Sequence, residues 1–237
     1  ALAKNMNITV KEIKNRIIDL FEINPMLGHR GCRLAISFPE IAEMQVEAIF
    51  TACKKLLNEG IKPNPEIMIP LVSTVGEFEN QQMVIKKIAK KLNKKFKIKL
   101  KYKIGTMIEL PRACLTADKI AKKADFISFG TNDLTQTTFG FSRDDIGSFI
   151  QDYFDNNILS EDPFKTIDQQ GVGELVKIAV EKATKSKPKI KIGICGEHGG
   201  DPRSIYFFNN INLNYVSCSP YRIPIAYLAA AKASFRM

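Results

Sequence analysis

The chain has 237 residues, of which 45% are hydrophobic, and its formal net charge is +10. This length can bury the core of one large α/β domain, and no apolar stretch approaches the roughly 18 uncharged residues that a membrane helix needs. The first residues lack the apolar core of a secretion signal, so we expect a cytoplasmic protein, or an organellar one, with no membrane partner. Because the chain begins at Ala1 in mid-pattern rather than at a methionine, we also expect it to be part of a longer protein.

The positive charge is local. Ten lysines fall within residues 86–103, so the rest of the chain sums to 10 − 10 = 0. Between these lysines, Ile85, Ile88, Ala89 and Leu92 keep helical spacing, which predicts an amphipathic helix with a solvated lysine face. Exposed aromatic residues and nucleic-acid-binding modules are not evident, so we expect no nucleic-acid partner. A noncatalytic basic binding module is the alternative interpretation.

The first elements in chain order are two helices with a short apolar run between them. Thr9-x-x-Glu12 and Ser37-x-x-Glu40 are capping-box patterns, and each precedes apolar residues three and four apart. The run "GCRLAIS" between them is predicted to be a strand.

From Gly60 onward, short β-rich runs alternate with longer helical ones. The runs predicted as strands are 66–73, 103–110, 125–131, the stretch "KIKIGICGE" and 213–219, and a closing helix begins near Pro224. With "GCRLAIS" this makes about six parallel strands. Such a repeat predicts either an open doubly wound sheet or an incomplete (β/α) barrel, and the absence of a G-x-G-x-x-G motif counts against a dinucleotide fold.

In both architectures, polar residues just after the strands are the functional ones. Glu109 and Asp133 follow consecutive predicted strands, and two converging carboxylates suit Mg²⁺. Capping of a helix and ion pairing are the alternatives. Beside Asp133, the stretch Gly130-Thr131-Asn132 combines close backbone approach with hydrogen-bonding groups that suit a carboxylate or phosphate oxygen. An ordinary turn into a helix at Leu134 is the alternative.

The stretch "KIGICGEHGG" places Cys195 and His198 together after an apolar run. This pair is compatible with a metal site, with a thiol nucleophile and its base, or with a proton donor at a strand end. The chain has five cysteines, an odd number without a C-x-x-C pair, so we expect neither a disulfide framework nor a structural zinc site.

Several long motifs resemble the phosphoenolpyruvate-utilising enzymes. "DFISFGTNDLTQTTFGFSR" (residues 125–143) is similar to the signature of that family, and "NPMLGHRGCRL", "GTMIELPRA", "GICGEHGGDP" and "NYVSCSPYRIPIA" resemble its dikinase branch more than its synthase or sugar-transport members. The resemblance extends over essentially the whole chain.

The resemblance implies a TIM-type barrel that binds pyruvate or phosphoenolpyruvate with Mg²⁺. It implies that Glu109 and Asp133 bind the metal and that Gly130, Thr131 and Asn132 help to hold the substrate. It also implies that Arg30 contacts the phosphoryl group. The implied reaction moves a phosphoryl group between a phosphohistidine and the enolate of pyruvate, within a dikinase that converts ATP, pyruvate and phosphate to AMP, phosphoenolpyruvate and diphosphate.

The resemblance also assigns Cys195 as the proton donor and leaves His198 as a bystander. It places the phosphohistidine and the ATP site on other domains of a longer, homodimeric protein. A synthase, or another Mg²⁺-enolate enzyme on the same barrel such as an aldolase or lyase, is the alternative; the latter would not need the Cys195 motif.

Residues 1–237 correspond to strands three to eight of that barrel, without two arginines on its first two strands. We therefore expect the chain alone to be inactive. We also expect an open barrel, or strand edges covered by a second copy.

Overall fold

The computed structural model describes residues 2–22 and 27–235. Residues 24–26 of the motif "NPMLGHRGCRL" lie outside this range. One parallel sheet runs through the described part, with its strands in chain order. The strands are β1 (Glu66–Ile69), β2 (Lys103–Ile108), β3 (Phe126–Gly130), β4 (Lys191–Cys195) and β5 (Tyr215–Val216).

Helices connect the strands. The α-helices are α1 (Leu2–Met6), α2 (Val10–Asp19), α3 (Cys32–Ser37), α4 (Pro39–Asn58), α5 (Val75–Phe96), α6 (Pro111–Leu115), α7 (Ala117–Ala121), α8 (Thr131–Phe139), α9 (Ile150–Asp155), α10 (Val172–Ser186), α11 (Pro202–Asn210) and α12 (Ile223–Ser234). Short 3₁₀ turns lie at Ile146–Ser148, Glu197–Gly200 and Pro220–Arg222. Within the described residues, no helix has both the length and the apolar content needed to cross a membrane.

The two faces of the sheet differ in chemistry because side chains alternate along each strand. One face is apolar and almost wholly buried; its residues include Ile69, Ile104, Ile108, Ile127, Phe129, Ile192 and Ile194. The other face carries residues that are unusual for a core, among them Glu66, Lys103, Gly105, Ser128, Lys191, Gly193 and Cys195. Burial of the apolar face stabilises the fold. The second face combines polar groups with aromatic rings, since Phe126 covers Gly105 and Tyr215 covers Gly193.

The sheet curves toward its polar face. Glu66 begins β1 and Lys191 begins β4, with β2 and β3 between them. Nζ of Lys191 nevertheless lies 2.9 Å from Oε2 of Glu66. Neighbouring strands of a flat sheet are about 4.8 Å apart, so β1 and β4 would be separated by roughly 14 Å. In a flat sheet, the Glu66 and Lys191 side chains would have to be fully extended toward each other to make this contact. The contact therefore indicates that the strands curve around the polar face.

The prediction of a parallel α/β fold is confirmed, but the count of six strands is wrong and a barrel is not confirmed. The described residues form five strands. The run "GCRLAIS" is helix α3, with Cys32 buried at its first turn. A short apolar run cannot be assigned to a strand or to a buried helix by its periodicity alone, which explains the error.

The two predicted capping boxes have different outcomes. Thr9 caps α2, and its hydroxyl accepts from the Glu12 N–H over 3.1 Å. Ser37 instead ends α3, and α4 begins at Pro39 without a side-chain cap. Proline disfavours helical backbone in the residue before it, so Phe38 must lie outside α4.

The lysine-rich helix is present as α5. Its residues Ile85, Ile88, Ala89 and Leu92 are buried, which confirms the predicted apolar face. Six of the ten lysines precede the helix end at Phe96. The remaining lysines, Lys97, Lys99, Lys101 and Lys103, follow the helix and lead into β2.

Candidate active site

The carboxyl ends of β2, β3 and β4 bring three of the predicted residues into one row. Ile108 pairs with Phe129, and Gly130 pairs with Cys195. Glu109 therefore follows β2 beside Gly130, and Cys195 lies on the other side of Gly130. The register places a carboxylate, a glycine and a thiol side by side on the polar face of the sheet.

Glu109 is a buried carboxyl group with a defined partner. Its side chain is 2% exposed, and Oε1 accepts a hydrogen bond from the Leu71 N–H over 2.6 Å. Burial raises the pKa of Glu109 to about 7, although the Leu71 N–H and the Arg30 charge oppose the rise. The negative charge of Asp133 raises it further, so the two carboxyl groups lie close enough to affect each other.

Asp133 lies in the first turn of α8 and is held from two directions. Nη1 of Arg30 lies 3.2 Å from Oδ1 of Asp133, and Nε2 of Gln136 lies 3.5 Å from the same oxygen. Both partners reach Oδ1, and the carboxylate is only 20% exposed. Arg30 is thus brought to the carboxylates, from the turn before α3 rather than from a strand.

Neither carboxylate caps a helix. The N-cap of α6 is Leu110 and that of α8 is Gly130, and neither helix has a side-chain capping hydrogen bond. The capping alternative is therefore wrong for Glu109 and Asp133, whereas the ion-pair alternative holds for Asp133 through Arg30.

Gly130 makes the close arrangement possible. A Cβ at this position would lie 2.5 Å from Oε2 of Glu109 and 2.6 Å from the sulfur of Met107. Any other residue would push the Glu109 carboxylate away. In the structure, the group that approaches Gly130 is a carboxylate of the protein itself. The close approach of a ligand to Gly130 stays a prediction.

Two adjacent carboxylates fit a hard divalent cation. Within residues 2–22 and 27–235, no group of three or more His, Cys, Asp and Glu side chains is arranged to hold a metal. Mg²⁺ commonly uses one or two protein carboxylates and completes its shell with water and substrate oxygens. Glu109 and Asp133 provide such a pair. Burial, and to a lesser extent the Asp133 charge, raises the pKa of Glu109, and a nearby cation would favour its charged form.

Cys195 ends β4 with its thiol partly exposed. Its Sγ lies 3.5 Å from the Phe129 carbonyl oxygen. Burial raises the pKa of Cys195, and the charges of Glu109 and Asp133 raise it further. The thiol therefore keeps its proton near neutral pH, which suits a proton donor better than a nucleophile.

Thr131 and Asn132 face the Cys195 loop. The Thr131 hydroxyl lies 2.7 Å from Nδ1 of His198, and Oδ1 of Asn132 accepts a hydrogen bond of 3.4 Å from the Glu197 N–H. Thr131 is completely buried. The side-chain oxygens of both predicted substrate ligands thus contact protein groups.

Glu197 is an arginine-binding residue that the sequence did not reveal. Its carboxylate pairs with Arg143 over 3.4 Å and with Arg222 over 3.2 Å. These pairs are about 40% exposed and contribute little stability. They do place two further guanidinium groups around the carboxyl edge of the sheet.

Leu71 is the second residue that sequence reasoning missed. It has a φ of +57°, which is uncommon for a residue other than glycine or asparagine, and its N–H fixes Glu109. The sequence "IPLVS" contains no glycine at this point, so it carries no signal for this conformation.

Comparison with known proteins identifies the family. The family model described as "PEP-utilising enzyme, PEP-binding domain" matches residues 6–235. The chain belongs to this family. The resemblance predicted from the motifs is therefore confirmed.

Relatives that match nearly the whole chain include dikinases. The chain is 55% identical to pyruvate, phosphate dikinase 1 of Arabidopsis thaliana over 98% of this chain. It is 56% identical to pyruvate, phosphate dikinase 2 of Oryza sativa over 94%, and 57% identical to pyruvate, phosphate dikinase 2 of Zea mays over 92%. The matches cover 24%, 25% and 25% of those proteins, so the chain spans about a quarter of their length.

Similarity to one solved structure is weaker. A citrate lyase from Burkholderia xenovorans aligns with a TM-score of 0.47 and 13% identity, over 70% of this chain and 48% of that one. This similarity is too low to carry an argument about fold or activity.

Proposed function

We propose that this chain binds pyruvate or phosphoenolpyruvate with Mg²⁺ and performs the pyruvate side of a dikinase reaction. The observation that carries the proposal is the row of Glu109, Gly130 and Cys195 at the carboxyl edge of the sheet, with Asp133 beside Glu109. Membership of the PEP-utilising family and identity with dikinases over nearly the whole chain support it.

In this proposal, Glu109 and Asp133 hold Mg²⁺. When bound, Mg²⁺ would supply positive charge next to the substrate carboxylate and the enolate oxygen. Arg30, which already contacts Asp133, has a planar guanidinium that suits phosphoryl oxygens. The start of α8 adds backbone N–H groups that are not used within the helix and that suit an anion.

Cys195 moves the proton. Toward phosphoenolpyruvate, the Cys195 thiolate accepts a proton from the methyl group of pyruvate, and the enolate oxygen takes the phosphoryl group as the P–N bond of the phosphohistidine breaks. In the opposite direction, the thiol returns the proton to the methylene carbon. A thiol with a raised pKa is protonated at neutral pH and is therefore ready for the second direction.

The rest of the reaction belongs to other domains in this proposal. A phosphohistidine domain and an ATP-binding domain of a longer protein would complete the enzyme, and the curved sheet would form part of a barrel. The 237 residues alone would then be inactive. Pairing of two copies through this part of the molecule stays a prediction.

A chimera tests the proposal. The matching segment of the Arabidopsis thaliana dikinase is replaced by this chain, and phosphoenolpyruvate formation from ATP, phosphate and pyruvate is measured. We expect activity in the chimera and none in the isolated chain. With Cys195→Ala, we expect ATP-dependent phosphorylation of the histidine to continue while transfer to pyruvate stops. Unchanged transfer in the Cys195→Ala chimera would contradict the assignment of Cys195.

A further inference from the structure

His198 connects three segments of the chain from a completely buried position. Its Nδ1 lies 2.7 Å from the Thr131 hydroxyl oxygen, and its Nε2 lies 2.9 Å from the Pro163 carbonyl oxygen. Both His198 and Thr131 are 0% exposed. The ring has no solvent-exposed surface, so these two hydrogen bonds determine how the imidazole is protonated.

The partners select one tautomer. A carbonyl oxygen can only accept, so Nε2 must carry a proton for the contact with Pro163 to be favourable. Burial lowers the pKa of His198, so the ring is neutral near pH 7 and Nδ1 carries no proton. The Thr131 hydroxyl must then donate to Nδ1. The hydroxyl also lies 3.4 Å from the Cys195 carbonyl oxygen, but its single proton goes to the nearer acceptor, Nδ1, at 2.7 Å.

This bond joins the two segments that carry the reacting groups. Thr131 begins α8, two residues before Asp133, while His198 follows Cys195 in the turn after β4. Between them lies Gly196, with a φ of +111°, where a Cβ would be 3.2 Å from both Oγ1 of Thr131 and Oδ1 of Asn132. The chain after Cys195 is therefore packed directly against the first turn of α8.

We propose that His198 is a positioning residue: as the Nε2–H tautomer it accepts the Thr131 proton and donates to Pro163, and so holds Cys195 at a fixed place relative to Asp133. Thr131 then acts through this bond, and its hydroxyl does not donate to the substrate. The inference deepens the proposed function and rests on it for its catalytic meaning. It differs from the motif-based expectation that His198 is a bystander and that Thr131 binds substrate.

The tautomer can be measured directly on the folded chain. The chain has two histidines, so long-range ¹H–¹⁵N NMR spectra contain two imidazole patterns, and the spectrum of a His198→Gln variant assigns them. We expect His198 to have a protonated Nε2 and an unprotonated Nδ1 at pH 7. A protonated Nδ1 in the neutral ring would overturn the proposal by itself.

Two matched variants separate positioning from space filling. His198→Asn keeps an acceptor near the position of Nδ1 and loses the donor to Pro163, whereas His198→Gln keeps a donor near Nε2 and loses the acceptor for Thr131. The readout is the pH profile of Cys195 alkylation by iodoacetamide, followed by mass spectrometry of its peptide. Circular dichroism confirms that each variant is folded.

We expect His198→Gln and Thr131→Val to change the Cys195 alkylation rate in the same direction by about fivefold, the size of one lost hydrogen bond. The double variant should equal either single variant, because both remove the same bond. His198→Asn keeps the bond to Thr131 and loses only the bond to Pro163, so its effect should be smaller than that of His198→Gln. Equal effects of the Asn and Gln variants, or additive effects of His198→Gln and Thr131→Val, would show that His198 only fills space.

These outcomes are distinguishable from failure of the proposed function. If the tautomer and the coupling are found but the chimera does not act on pyruvate, the positioning role stands and the proposed function fails. If the chimera is active but the coupling is absent, the proposed function stands and the positioning role fails.

Discussion

Oε2 of Glu109 lies where a side chain on Gly130 would have to be, 2.5 Å from the position of its Cβ. The residue that ends β3 thus controls where the carboxylate that follows β2 can lie. This dependence is local and can be tested with a single added methyl group.

Gly130→Ala is expected to destabilise the chain and to displace Glu109. The added Cβ meets Glu109 and Met107 in a buried place, and overpacking of this kind typically costs about 1–3 kcal/mol. Gly147→Ala is the matched control, because its Cβ would meet nothing within 4 Å, and it should change the free energy of unfolding by less than about 0.5 kcal/mol. Urea denaturation measures both. Equal values for the two variants would show that the site tolerates the methyl group.

Removal of the Glu109 charge is expected to weaken Mg²⁺ binding. Glu109→Gln keeps an oxygen that can accept from Leu71 but removes one of two anionic ligands, so we expect at least a roughly tenfold loss of affinity in calorimetry with Mg²⁺ and oxalate. Glu66→Gln, which removes a carboxylate at the opposite end of the sheet, is the control and should leave the affinity unchanged. A Glu66→Gln effect as large as that of Glu109→Gln would place the metal elsewhere.

The pH dependence of stability should carry the signature of a buried neutral histidine. Burial lowers the pKa of His198 below 6.5, so the unfolded chain binds more protons between the two pKa values. His198 therefore contributes stability that is fully present above pH 6.5 and is lost as the pH falls below it. We compare the free energy of unfolding of the unchanged chain with that of the His198→Asn variant. As the pH falls through that window, the difference between them should decrease by up to about 1.4 kcal/mol per pH unit. A difference that does not vary with pH would contradict the burial of a neutral ring.

The Cys195 thiol should respond to the neighbouring carboxylates. Burial raises its pKa first, and the charges of Glu109 and Asp133 add to this effect. We therefore expect Glu109→Gln, or saturating Mg²⁺, to lower the apparent pKa seen in Cys195 alkylation and to raise the rate at neutral pH. Glu66→Gln should have no effect. If Mg²⁺ fails to change the profile at concentrations that bind, the metal and the thiol do not share one site.

The sequence predicted the parts of this molecule that depend on regular patterns. Alternating β and α runs led to the parallel sheet, and polar residues after the strands led to Glu109, Asp133 and Cys195. The strands lie in chain order and are in register at their carboxyl ends. Glu109, Gly130 and Cys195 therefore lie in one row.

Other features depend on contacts that no local pattern contains. The sequence predicts a strand where α3 lies, because six residues are too few to show a period. The left-handed Leu71, which fixes Glu109, has no glycine to mark it. The motif gives no sign of the His198 contacts, because the partners Thr131 and Pro163 lie 67 and 35 residues away in the chain.

The most direct test of the central claim is a crystal structure of the chain grown with Mg²⁺ and oxalate, a mimic of the enolate. We expect Mg²⁺ bound by carboxylate oxygens of Glu109 and Asp133, with oxalate completing its shell on the side that faces Cys195. Mg²⁺ and oxalate bound at another place in the fold would contradict the proposed metal site. In that result, Glu109 would contact only the Leu71 N–H and Asp133 would contact only protein groups such as Arg30.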